Sequence, residues 1–375
     1  MKYLGLSWTA TFLQLALRLS WGVIAVTFAY TLHLNSVEIG TVLFLFYAGY
    51  VASSIPWGTL IDKVGPNKVI TLSAITSGVL LLPILLINNI FQLYAIYLAE
   101  GVLTAGLFPS SVKIVSSLER PLTPYLALLE SAAPIVLLVI ALASGIIINY
   151  WREFYVVLFI ALIITGLSSH LVRVNARKGK NVRRVFNRDM AKVSLIRGGE
   201  LWGTWGASSW LFPFLVLYDG IPKNESEVLF VLYAVGQVLS IIINNKISTR
   251  VRDLTLVRTS LIVFILSVIL VSFLRYFSFL YGLSLLLGIS SFLYRPPTDS
   301  VIVKMNKENA GTSMGLANAV SQVGSMTAPL IVGLLISLGD PTFAIASLSL
   351  GPLTSLILVS TIKSDENLDG KGTLS

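Results

Sequence analysis

The sequence predicts an all-α membrane protein of twelve transmembrane helices in two pseudo-symmetric six-helix bundles, and three observations predict it. The first is composition. Of 375 residues, 55% are hydrophobic and 12% charged, too little polar surface to cover a soluble core of this size. The second is blocking: the apolar residues fall in runs of about twenty, the length at which an α-helix crosses roughly 30 Å of hydrocarbon. The third is a repeat. VLFLFYA from Val42 to Ala48 reads onto VLFVLYA from Val228 to Ala234 at an offset of 186, and Gly101 with Gly288 and Pro109 with Pro296 share an offset of 187. Apolar segments match easily by chance, but agreement of the offset across separate blocks points to a duplicated six-span unit.

In chain order the spans are expected near 6–32, 38–61, 68–88, 91–117, 122–149, 153–172, 195–218, 226–247, 255–274, 277–303, 309–338 and 341–362. Residues 1–172 then make the first bundle, 173–194 a basic cytoplasmic linker, 195–363 the second bundle and 364–375 a cytoplasmic tail. The linker, Arg173 to Lys192, carries eight basic residues against the single acid Asp189. No aromatic platform is interleaved with them, so it reads as a solvated, lipid-facing connection and not as a nucleic-acid tract.

The net charge of +9 reports topology. Basic residues sit on alternate junctions: Lys2, Lys63, Lys68, Lys113, Arg120, the run from Arg173 to Arg197, Lys246 to Arg258, Lys304, Lys307, Lys363 and Lys371 on one side, with only Arg152, Lys223 and Arg275 on the other. By the positive-inside rule both termini are cytoplasmic, in a multi-pass protein of the cell membrane, with membrane lipid as a neighbour of the basic face. The apolar N-terminus reads as the first span, since Arg18 interrupts it and no small-residue cleavage site follows. No cysteine is present, and His33 and His170 are the only histidines. That excludes disulfides and thiolate chemistry and leaves no metal or nucleophile constellation, so neither an enzyme nor a cofactor is expected.

The junction after the second span reads GTLIDKVGPNK, Gly58 to Lys68. It resembles the G-x-x-x-D-[RK]-x-G-x-[RK]-[RK] signature of the major facilitator superfamily, at the place where that family carries it. Gly58 is expected to allow close helix approach, Gly65 a tight turn and Pro66 a fixed dihedral. Asp62, with Lys63 and Lys68, supplies the charges of a contact that forms in one conformation and breaks in another. Asn67 stands where a basic residue is usual, and at the matching junction of the second half Asn244 and Ser248 replace Gly and Asp while Lys246, Arg250 and Arg252 keep the charge. Tyr150, Trp151 and Arg152 resemble the start of the family's sixth span, and Gly311 to Asn318 with Gly324, Pro329 and Gly333 its eleventh. In the fourth span Tyr97 and Glu100 stand before Gly101 where the family often has Arg and Gln. The resemblance implies a secondary active transporter working by alternating access on a site between the halves, coupled to a proton or solute gradient. The alternative is a non-transporting receptor or scaffold on the same fold.

Ionisable residues inside spans cost at least about 2.5 to 3.5 kcal/mol at the bilayer centre, so each is a functional candidate. Here they are Arg18, Glu100, Glu130, Glu200, Arg295 and Asp299. The resemblance implies that spans one, four, seven and ten line the cavity. Periodicity independently places polar stripes on those four: Thr11, Gln14 and Arg18; Tyr97, Glu100 and Thr104; Glu200, Thr204 and Ser208; and Ser284, Gly288, Ser291, Arg295 and Thr298. Two readings stand side by side. The charges are structural ion pairs, with Arg295 and Asp299 one turn apart as the plainest case and Arg18 within reach of Glu100 and Glu130. Or the arginines grip a small-molecule substrate, leaning toward an organic anion, while a carboxylate carries a coupling proton. Small residues on span eleven, Gly311, Gly315 and Ala319 with Ala317, Ser321 and Ser325, read as packing faces, and a monomer is expected.

Overall fold

The computed structural model describes residues 2–118, 122–171, 187–248, 250–274, 276–305 and 310–362, and among them the regular secondary structure is helical throughout. Arg120, Arg275, Lys307, residues 173–186 of the linker and residues 363–375 lie outside them. Eleven stretches of the described residues are long and apolar enough to span a membrane. They are α1 (Lys2–Thr31), α2 (Ser36–Val64), α3 (Pro66–Leu86), α4 (Ile90–Ser116), α5 (Tyr125–Leu142) and α6 (Trp151–Leu171), then α8 (Lys223–Ile247), α9 (Asp253–Phe273), α10 (Ser278–Met305), α11 (Leu316–Ser337) and α12 (Pro341–Ser360). Between them runs α7 (Arg188–Pro213), continued by the π-helical turn Phe214–Tyr218. It is the twelfth expected span, less apolar because Arg197 and Glu200 lie within it.

Local chemistry sets the boundaries. Asn35 and Glu38 form a reciprocal capping box at the start of α2, with bonds of 3.0 and 2.8 Å. Asn89, Asn187 and Asp340 cap α4, α7 and α12 through side-chain oxygens that accept from backbone N–H groups. Gly65 ends α2 at φ 93°, a conformation that a side chain opposes, and Pro66 opens α3 where its missing N–H costs nothing.

The chain divides into two compact units, Met1–Gly179 and Lys180–Ser375. Inside unit 1, α2 and α4 touch backbone to backbone: a Cβ on Gly101 would lie 1.9 Å from the Phe46 carbonyl oxygen, and one on Gly49 2.3 Å from that of Leu98. Inside unit 2, α8 and α10 do the same, with Gly288 at 2.0 Å from the Tyr233 oxygen and Gly236 at 2.3 Å from that of Leu285. All four residue pairs correspond at one offset, 187. The register of 186 read from VLFLFYA and VLFVLYA is therefore one residue out, because Tyr233 occupies the place of Phe46 and not of Tyr47. Small residues admit the crossing, and the crossing fixes the register; the apolar side chains around it are interchangeable.

Gly58 does not act as expected. A Cβ there would meet nothing within 4 Å, so the close approach on α2 is made at Gly49 instead.

Candidate functional site

In unit 1 the polar stripes point inward. Arg18 is buried on α1, with its guanidinium carbon 5.3 Å from the centre of the Tyr47 ring on α2. On α4, Tyr97, Glu100 and Thr104 are all buried. Glu100 accepts a 2.6 Å hydrogen bond from Ser77 on α3, while its Oε1 is buried without a hydrogen-bond partner among the described residues. Glu100 makes no ion pair among those residues, so of the two acids within reach of Arg18 by depth, Glu100 is not its partner. Depth along a helix leaves direction around its axis undetermined, and Glu100 faces α3. The Tyr97 and Tyr155 hydroxyls are 2.8 Å apart, and Trp21 meets Tyr97 edge-on at 5.0 Å. Thr11 and Gln14 are buried on the Arg18 side of α1, and Glu130 is half-buried on α5.

Unit 2 is built differently. Arg197 and Glu200 flank Gly198 and Gly199 on α7, and these glycines let two helices approach. A Cβ on Gly324 of α11 would lie 2.0 Å from the Gly198 oxygen, and one on Gly199 2.3 Å from the Gly351 oxygen of α12. Gripped in this way, α7 carries Arg197 into the interior, where Nε donates to Asp299 at 2.8 Å. Its Nη1 donates to Asn318 at 3.1 Å and to Ser321 at 2.8 Å. The ion pair thus ties α7, α10 and α11 with most of its donors engaged, the geometry a buried pair needs to offset its desolvation.

Three expectations change here. Asp299 pairs with Arg197 across helices and not with Arg295 one turn away on its own. Arg197 belongs to the interior and not to the basic junction. Ser321 is a ligand of the guanidinium as well as a packing residue.

Beside this pair, Glu200 accepts from Thr298 at 2.5 Å, and its Oε2 is buried without a hydrogen-bond partner among the described residues. Arg295 lies with its guanidinium carbon 5.6 Å from the Trp205 ring centre and 5.4 Å from that of Phe292. Below Glu200, a hydroxyl and amide cluster continues along α7. Thr204 meets the Tyr294 hydroxyl at 2.7 Å, Ser208 meets that of Tyr233 at 3.0 Å, and Gln237 donates to Tyr233 and Ser291 at 3.0 and 3.1 Å. Gln237, Tyr233, Tyr294 and Asn318 join the cluster as uncharged residues that their spacing does not mark, whereas Arg197 carries a sequence signal, three residues before Glu200 on one helical face. Among the described residues no group of His, Asp or Glu could hold a metal ion.

The junction motif is assembled as a charged contact. Asp62 at the end of α2 pairs with Lys113 at the end of α4, 3.0 Å apart, while Lys63 and Lys68 are exposed. Unit 2 has an analogous pair from a different starting point: Asp253, the first residue of α9, with Lys304 of α10 at 2.7 Å.

The sequence profile described as Major Facilitator Superfamily matches residues 6–218 and again 201–372. The chain belongs to the major facilitator superfamily. It is thus a multi-pass membrane protein of a transporter class. The chain is 24% identical, over 87% of its length and 86% of the relative's, to a probable sulfoacetate transporter of Cupriavidus necator. Its fold matches a bacterial homolog of the human lysosomal transporter Spinster in the inward-facing, occupied state, with a TM-score of 0.69 at 16% identity over 96% and 92% of the two chains. Against the inward-facing, unoccupied state the TM-score is 0.72, also at 16% identity, over 96% and 93%. For this superfamily member those structures establish the twelve-helix fold and nothing finer.

Proposed function

We propose that this chain is a secondary active transporter that carries a small organic anion across the membrane by alternating access, driven by protons, with both termini cytoplasmic. The observation that carries the reading is the charge layout of α1, α4, α7 and α10. Each holds a buried ionisable residue inside a span, and on α7 and α10 two carboxylates, Glu200 and Asp299, share a neighbourhood with Arg197 and Arg295. Asp299 accepts from Arg197, and among the described residues the hydrogen bond Glu200 accepts comes from the neutral Thr298. Glu200 is the carboxylate assigned to the coupling proton, and Arg295, in the same unit, is assigned to the anionic group of the substrate. The kinship with a probable sulfoacetate transporter favours two- and three-carbon carboxylates and sulfonates. Asp62 and Lys113 are assigned to the contact that holds one conformation.

The test is uptake of labelled small carboxylates and sulfonates into proteoliposomes under an imposed pH gradient. Accumulation that collapses with the gradient supports the assignment. Glu200→Gln is expected to abolish proton-driven accumulation while retaining substrate exchange. Unchanged pH-dependent accumulation in that variant would remove Glu200 from the coupling role, and binding without any uptake would favour a receptor.

A further inference from the structure

Unit 1 carries a groove of about 230 Å³ between the start of α3 and the end of α6, lined by Lys68, Thr71, Leu72, Ile75, Thr76 and His170. Its exposed surface is almost wholly apolar, yet two basic side chains from different helices stand at one end. That end has a defined depth. Lys68 lies in the first turn of α3 and His170 in the last turn of α6, so both sit where spans meet the headgroup layer.

The walls are fixed. The Thr71 and Ser169 hydroxyls are hydrogen-bonded to each other, and a Cβ on Gly166 would come within 2.7 Å of the Ile75 side chain. The polar end is unbalanced in charge. The first turn of α3 contains Lys68 and no acid, so the positive end of the helix and the lysine add to each other. An anion placed there would be held by both. A free anion, however, would leave Leu72 and Ile75 without an occupant.

We propose that this groove binds one anionic glycerophospholipid, its phosphate between Lys68 and His170 and an acyl chain along Leu72 and Ile75. The occupant is chosen by the combination: an apolar wall of membrane depth continuous with a cationic end at headgroup level. The site is separate from the intramembrane charges assigned to transport.

Native mass spectrometry of the full chain, exposed to equal amounts of phosphatidylglycerol and phosphatidylcholine of identical acyl chains, tests it. The wild type is expected to retain phosphatidylglycerol about fivefold over phosphatidylcholine, the preference expected from one lysine at an anionic surface. Lys68→Ala with His170→Ala is expected to reduce that ratio to near one. Leu72→Trp, which occupies the wall without touching charge, is expected to lower retention of both lipids. Equal retention by the wild type, or a ratio unchanged in the double variant, would overturn the proposal. So would displacement of the lipid by inorganic phosphate at the same concentration, which would assign the basic pair to a free anion. Lys68, Leu72 and His170 are exposed, and His170→Gln alone keeps the measurement decisive if the double variant fails to assemble.

Discussion

The two units share a backbone device and differ in their charges. In unit 1, α2 and α4 interlock at Gly49 and Gly101; in unit 2, α8 and α10 interlock at Gly236 and Gly288, with matching approach distances. Around these frames, among the described residues, unit 1 holds a carboxylate, Glu100, bonded to the neutral Ser77, while unit 2 holds the Arg197–Asp299 ion pair beside a second carboxylate, Glu200. The difference teaches that the repeat preserves what the backbone requires and leaves the interior polarity free to specialise. The same contrast appears at the junctions, where one pair uses an acid at the end of α2 and the other an acid at the start of α9.

The largest effect is expected from breaking the Arg197–Asp299 pair of unit 2. Arg197→Ala leaves the largely buried Asp299 without its partner and should destabilise unit 2 by about 3–5 kcal/mol, read as a fall in thermal unfolding temperature of the purified protein. Loss of less than ~1 kcal/mol would show that the cluster is hydrated. Next come the shared glycines. Gly101→Val and Gly288→Val each force a carbonyl-bearing backbone to move and should cost about 1–3 kcal/mol by the same unfolding measurement, similarly in the two units. A cost confined to one of them would break the equivalence. Asp253→Asn and Asp62→Asn should have the smallest effect on stability, below ~1 kcal/mol for Asp62 because its pair with Lys113 is partly exposed. Asp253 is the more buried of the two acids, so its variant should unfold at the lower temperature.

The spans were legible because hydrocarbon imposes a length that composition reveals, and α7 was legible despite its charges because it falls at the right place in the repeat. That Tyr97, Glu100, Glu200 and Arg295 turn inward was legible because a charge or polar stripe in an apolar helix has few reasons to exist. Pairing was not. Arg197 sits where a basic residue at a membrane boundary is ordinary, so only the glycines beside it, which draw α11 and α12 close, turn it into an interior group. The partner of Asp299 depended on that approach and not on spacing along α10. Register failed for a related reason, since a shift of one apolar residue changes little in hydrophobicity and everything in which carbonyl meets which glycine.

Two backbones pressed together at successive turns cannot slide without lifting apart. The α2 and α4 pair, and the α8 and α10 pair, should therefore travel as single stiff struts in any cycle the protein performs. Spectroscopic labels placed on the two members of one strut would report one unchanging separation, while the protein's motion is taken up elsewhere.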